Sequence, residues 1–130
     1  MIRYTDSLVS LSPVRFKGFC SDWRTPPSPA RLFRALQGSS HVVLAIDEDN
    51  RQVVGYVNAV SDGALCAFIP LLEVLPDYRG KGIGTELVKP LLGRLREFYA
   101  VDLVCDDELV PFYERFGLTR MGAMSLRRHG

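Results

Sequence analysis

Three glycines at alternate positions, two basic residues beside them and a proline just upstream stand at the start of a helical pattern. The stretch reads Leu72-Glu73-Val74-Leu75-Pro76-Asp77-Tyr78-Arg79-Gly80-Lys81-Gly82-Ile83-Gly84-Thr85. The chemistry this pattern suits is the binding of an anion. The first N–H groups of a helix have no partners inside it and lie at the positive end of its dipole. Gly80, Gly82 and Gly84 carry no Cβ, so the backbone can close around a pyrophosphate, and Arg79 and Lys81 add charge.

Three kinds of phosphate loop compete for this signal. A P-loop needs Ser or Thr after Gly-Lys, whereas Gly82 follows Gly80-Lys81. A dinucleotide fingerprint needs a third glycine where Thr85 stands, although Asp102 does lie about twenty residues on. Antiparallel hairpins ahead of the loop also suit that fold poorly. The third pattern is Arg-x-x-Gly-x-Gly, and Arg79-Gly80-Lys81-Gly82-Ile83-Gly84 matches it fully behind the lead-in Leu72-x-Val74-x-Pro76. A second constellation follows, Asp106-x-x-Leu109-x-x-Phe112-Tyr113-x-x-Phe116-Gly117-Leu118. With both in this order, residues 41 to 121 resemble the GNAT superfamily of N-acetyltransferases. Leu118 stands where that family more often has Phe, Asp106 where it has Asn, and Leu109 where it has Ala.

The resemblance implies a fold, a co-substrate and a mechanism. The fold is a mixed α/β (α+β) sheet, an antiparallel meander followed by a splayed parallel pair, with helices on both faces. The co-substrate is acetyl-CoA. Backbone groups of Leu72, Glu73 and Val74 would meet its pantetheine arm, and N–H groups from Gly80 through Lys81, Gly82, Ile83 and Gly84 to Thr85 its pyrophosphate. Arg79, Asp106 and Tyr113 would also contact the coenzyme. An amine would attack the thioester directly, with N–H groups near Val74 stabilising the oxyanion.

Tyr113 is the candidate acid, because the departing thiolate needs a proton and a phenol is still protonated at neutral pH. The bland reading makes it an amphipathic residue packing a short helix on the sheet. Glu73 is the one charged residue between Cys66 and Leu75. It suits a general base, acting directly or through water, or else it is a solvated charge with no task. Cys105 ends an apolar run with no His nearby and reads as a buried structural thiol rather than an acyl carrier. His41 and His129 stand alone, so no metal site is expected.

These groups must be positioned by elements the pattern also predicts. Ile2 to Tyr4 opens a first strand. Ser12 to Trp23 is weakly helical, with Phe16, Phe19, Cys20 and Trp23 near one face. Ser28-Pro29 starts a helix that Gly38 ends. Strands are expected at His41 to Ile46, Val53 to Val60 and Cys66 to Leu75, joined by short polar turns. Ile83, Leu87, Val88, Leu91, Leu92, Leu95 and Phe98 make the stripe of a long helix that Pro90 should kink or loosen. Ala100 to Cys105 reads as a strand. Asp106 then caps a short helix through Phe116, which Gly117 closes. Leu118 to Met121 and Met124 to Arg127 are candidate final strands, whose exposed ends would allow a homodimer.

Composition bounds the rest. The 130 residues suit one domain, residues 1–130, and 47% hydrophobic with 24% charged residues is ordinary for a globular protein. A formal charge of +1, with basic and acidic residues intermixed, argues against a nucleic-acid partner. The Arg127-Arg128-His129 cluster reads as a solvated tail. No apolar run is long enough for a membrane span, and no secretory pattern opens the chain. The three cysteines, Cys20, Cys66 and Cys105, read as reduced thiols in the cytoplasm. In the acceptor region, Phe19, Trp23, Arg24 and Pro26-Pro27 suit a small amine better than a protein tail. The rival reading is a non-catalytic acyl-CoA-binding or interaction module of the same fold.

Overall fold

The computed structural model describes residues 1–128, so His129 lies outside the described residues. Six strands form one sheet: β1 (Ile2–Thr5), β2 (His41–Asp47), β3 (Gln52–Ser61), β4 (Cys66–Ile69), β5 (Leu72–Val74) and β6 (Ala100–Leu103). Their order is β1-β2-β3-β4-β6, with β5 also pairing on β3. The pairs β1/β2, β2/β3, β3/β4 and β3/β5 are antiparallel, and β4/β6 is parallel. This is the expected meander followed by a parallel pair.

Alternation along β2 sends Val42, Leu44 and Ile46 to one face and Val43 and Ala45 to the other. The first face is covered by helix α1 (Pro29–Gln37) through Leu32, Phe33 and Leu36. Ser28 caps α1 as its sequence predicts, its Oγ accepting the Arg31 N–H at 3.1 Å, an arrangement worth about 1 kcal/mol. The second face is covered by helix α2 (Ile83–Arg94), which buries Ile83, Leu87 and Leu91, with Leu95 just beyond its end. Each of these buried side chains contributes roughly 1.5–3 kcal/mol. α2 runs through Pro90, which is exposed, so the carbonyl of Glu86 left without its donor faces water. The helix stops short of Phe98 because Leu95 and Phe98 tighten into turns, donating to Leu92 and Leu95.

Other expectations fail for identifiable reasons. Ser12 to Trp23 is not a helix. It holds only a one-turn 3-10 helix at Pro13–Phe16, because Gly18 (φ +92°) and Cys20 (φ +60°) take left-handed conformations. Phe16, Phe19 and Cys20 are buried as anticipated, whereas Trp23 is half exposed. The third predicted strand is two strands. Pro70 lacks an N–H, and the register against β3 slips by one residue between Phe68 and Leu72. β6 ends at Leu103, leaving Val104 and Cys105 outside the ladder. The segment after it forms a one-turn 3-10 helix at Asp107–Leu109 and helix α3 (Val110–Glu114), with Gly117 at φ +92° beyond. Asp106 occupies the cap position, but its side chain accepts no capping bond. Leu118 to Met121 and Met124 to Arg127 form no strands.

Candidate active site

The slip at Pro70-Leu71 opens the sheet. β4 pairs with β6 from Cys66↔Ala100 to Ile69↔Leu103, but β5 pairs with β3 alone. The strands therefore run side by side and then part, leaving a gap between β5 and the end of β6. Asn58, 3% exposed, pins the parting point. Its backbone N–H donates to the Leu71 carbonyl at 3.2 Å, and its Oδ1 accepts the Leu71 N–H at 3.1 Å. Its Nδ2 donates to Ser39 Oγ at 2.9 Å, and Ser39 in turn donates to the Ala35 carbonyl near the end of α1. One buried amide thus ties the α1 end to the split strand.

The glycine loop follows β5 through a one-turn 3-10 helix at Pro76–Tyr78. Gly80 (φ +76°) and Gly82 (φ +83°) are left-handed, and a Cβ at either would meet no atom within 4 Å. The space a side chain would occupy beside these two residues is open, next to the N-terminus of α2. The Tyr78 hydroxyl donates to Asp47 Oδ2 at 2.6 Å, which fastens the loop to the β2–β3 turn. That bond, and then the Asp49 N–H, hold the Asp47 carboxyl below the usual range. Lys81 lies over the Tyr78 ring at 5.6 Å. The Arg79 Nε donates to the Val74 carbonyl at 2.8 Å, so part of its guanidinium is spent on β5 itself. Ile83 is buried and offers a ligand only its backbone.

The two sequence constellations meet. A Cβ on Gly84 would lie 3.6 Å from the Phe112 ring, and Arg115 Nη2 donates to Thr85 Oγ1 at 3.1 Å. α3 is thereby seated on the first turn of α2. Tyr113 on the same helix is 8% exposed, edge-on to Phe112 at 5.0 Å. Burial, then Cys105 beside it, push its hydroxyl up to about 12, so it stays protonated at neutral pH. The Cys105 thiol is raised by burial and then by Asp106, which removes the thiolate an acyl carrier would need.

Glu73 faces the α1 side of the sheet, and it is not idle. Both carboxylate oxygens accept the Cys20 N–H, at 3.0 and 2.9 Å. Oε1 also takes the Tyr56 hydroxyl at 3.3 Å and the Cys20 thiol at 3.5 Å. Oε2 keeps lone-pair capacity beyond its one bond. Cys20 and Tyr56 are fully buried, and burial first, then neighbouring negative charge, raises both; the thiol reaches about 11. The carboxylate anchors the segment expected to face the acceptor, where Phe19 packs edge-on against Tyr56 at 4.8 Å as core rather than as a substrate wall. Sequence reasoning missed Asn58, Tyr56 and the partnership of Cys20 with Glu73. A polar residue inside an otherwise apolar β3 was the available signal for Asn58. No bond links Tyr113 to Glu73; they stand on separate elements either side of the gap.

Comparison with known proteins gives the same assignment. The family model described as Acetyltransferase (GNAT) family matches residues 8–118. A crystal structure from Deinococcus radiodurans R1, itself assigned as an acetyltransferase, is 48% identical with a TM-score of 0.94, covering 98% of this chain and 89% of that one. A GNAT-family acetyltransferase from Streptococcus pneumoniae TIGR4 is 31% identical with a TM-score of 0.77, covering 98% and 99%. The uncharacterised N-acetyltransferase ycf52 of Pyropia yezoensis is 30% identical over 90 residues, 66% of this chain and 52% of that protein. The chain thus spans about half the length of that curated relative. No helix among the described residues is long and apolar enough to cross a membrane. The loop, the parted strands and the matched family model together place this chain in the GNAT acetyltransferase family, whose members use acetyl-CoA.

Proposed function

We propose that residues 1–130 act as one unit that moves the acetyl group of acetyl-CoA to the primary amine of a small molecule, in a ternary complex and without an acyl-enzyme. The observation that carries this reading is the pair of left-handed glycines opening α2 beside a strand that has left its parallel neighbour. Acetyl-CoA supplies an activated thioester. Backbone N–H groups of residues 80 to 85 hold its diphosphate, and Leu72, Glu73 and Val74 border the gap that takes its arm. Asp106 is retained as a coenzyme contact, though not as a cap.

Glu73 Oε2 takes the proton of the incoming ammonium, while its other bonds keep the Cys20 segment in place. Tyr113 donates a hydrogen bond to the departing sulfur. At about 12 the phenol lies above the usual thiol value of about 8.5, so it stabilises the thiolate more than it surrenders its proton. The small-molecule acceptor is favoured because the segment before α1 is short and is held to the core at Phe16, Phe19 and Cys20. A cytoplasmic location belongs to the same reading.

Tyr113→Phe tests it. Losing a single donor of this kind lowers kcat by about 10²–10³-fold, with acetyl-CoA affinity unchanged. Full turnover by the variant would remove Tyr113 from the mechanism. Coenzyme binding without turnover of any amine, in wild type as well, would favour the non-catalytic module.

A further inference from the structure

Tyr56 and Glu73 stand directly opposite each other where β3 pairs with β5. Opposed residues of an antiparallel pair project from the same face, here the α1 side, where Tyr56 is fully buried. A phenylalanine would fill that place against the Phe19 ring equally well, so packing does not account for the hydroxyl. Its neighbours are polar: Glu73 Oε1, to which it donates at 3.3 Å, and Cys20 Sγ at 3.8 Å. The first distance is long for a hydroxyl donor, as the bonds of a catalytic group often are before substrate tightens them.

Cys20 reaches the same carboxylate from the segment before α1. Its φ of +60° is left-handed, a conformation that strains a residue with a Cβ and that glycine takes freely. Gly18, two positions earlier, adopts it at φ +92°. A glycine at position 20 would keep the N–H that both carboxylate oxygens accept, but it would have no thiol. That thiol donates to Oε1 at 3.5 Å. Burial above all keeps the thiol and the Tyr56 hydroxyl protonated at neutral pH, so each has a proton to offer. Among the described residues these are the titratable groups turned to Glu73, with Asp22 acting on Cys20 through its charge.

The two carboxylate oxygens are therefore unequal. Oε1 has three partners: the Cys20 N–H at 3.0 Å, the Tyr56 hydroxyl and the Cys20 thiol. Oε2 has the Cys20 N–H alone, at 2.9 Å. The donor residues are fully buried, whereas Glu73 is half-buried. We propose that Tyr56 and the Cys20 side chain are positioning residues for Glu73, fixing Oε1 inward and leaving Oε2 as the oxygen presented to an incoming ammonium. This rests on the reading of Glu73 as the proton acceptor. The proton passes from the ammonium nitrogen to Oε2, while Tyr56 and Cys20 keep theirs and touch no substrate. Both of their bonds favour the ionised carboxylate over the protonated one.

Carbon-13 NMR of the full chain, labelled at the glutamate carboxyl carbon, reads this positioning without any acceptor. Glu73→Gln identifies the Glu73 signal by its disappearance. In Tyr56→Phe, which keeps the ring, the titration midpoint of that signal should move to higher pH by about half to one unit. Cys20→Ala should move it in the same direction, and Cys20→Ser, which restores a donor, should bring it back toward the wild-type position. Phe19→Leu changes the packing around Tyr56 without touching a polar atom and should leave the midpoint in place. Thermal unfolding of each variant shows that it is folded at the titration temperature. An unmoved midpoint in Tyr56→Phe, or an equal shift in Phe19→Leu, would overturn the inference. Undiminished amine-dependent thiol release by Glu73→Gln is a separate result: it would remove the proton-acceptor reading, and with it the task given to Oε2, whatever the midpoints show.

Discussion

Replacing Asn58 with alanine separates the opening of the sheet from ordinary packing. The side chain is 3% exposed and makes two bonds, one to the Leu71 N–H at 3.1 Å and one to Ser39 Oγ at 2.9 Å. Asn58→Ala leaves the part-buried Leu71 N–H without an acceptor, a loss of about 1–2 kcal/mol, and the missing amide volume adds about 1 kcal/mol. Ser39 is half-buried and keeps its own bond to the Ala35 carbonyl. The total of about 2–3 kcal/mol corresponds, at roughly 3–5 °C per kcal/mol for a chain of this length, to a melting temperature lower by about 6–15 °C. The second consequence is specific. With Leu71 released, β5 is free to drift toward the register of β4, and the gap beside β6 is held less open. Acetyl-CoA should then bind about tenfold more weakly, or about 1.4 kcal/mol. Ser39→Ala is the control, since it removes the partner of Asn58 Nδ2 but leaves the Leu71 bond; it should cost about 1–3 kcal/mol and leave coenzyme affinity alone. Thermal unfolding with and without acetyl-CoA, together with calorimetric titration, reads both quantities. A lower melting temperature with unchanged acetyl-CoA affinity would refute the link between Asn58 and the gap.

Gly82→Ala forces a Cβ into a left-handed residue at φ +83°. It should lower stability by about 1–2 kcal/mol and weaken acetyl-CoA binding, checked by the same titration. Glu73→Gln keeps an acceptor for the Cys20 N–H but loses the charge. If Glu73 accepts the ammonium proton, kcat/KM for the amine falls by about 10²–10⁴-fold while acetyl-CoA affinity holds; a change in stability alone would limit Glu73 to its anchoring bonds. Tyr113 gives a pH signature. Its folded value of about 12 is raised above the unfolded value of about 10. Its contribution to stability is therefore intact below pH 10 and is lost as pH rises from 10 toward 12. Denaturant midpoints across that window should fall more steeply for wild type than for Tyr113→Phe.

The layers and the glycine loop were legible because each rests on local chemistry, whereas the contact between α2 and α3 was not. Ser28-Pro29 sets a helix start, the stripe from Ile83 to Leu95 sets a buried face, and Gly80 and Gly82 mark left-handed backbone. What was not legible depends on contacts distant in sequence. Cys20 adopts φ +60° in a segment whose N–H binds a carboxylate 53 positions away, so the helical periodicity around it misled. The break of the third strand was written in Pro70, but its one-residue slip is fixed by Asn58 across the sheet. The last two strands failed because a strand needs a neighbour, and residues 118–127 find none within their own chain.

The most direct test of the central claim is calorimetric titration of the purified chain with acetyl-CoA, with NADH and ATP as controls, followed by an amine panel read by release of free thiol. The account predicts saturable binding of acetyl-CoA alone and thiol release that depends on an added amine. Binding of either control in its place, or no binding of acetyl-CoA, would contradict the reading of the Gly80–Gly84 loop and of every step built on it.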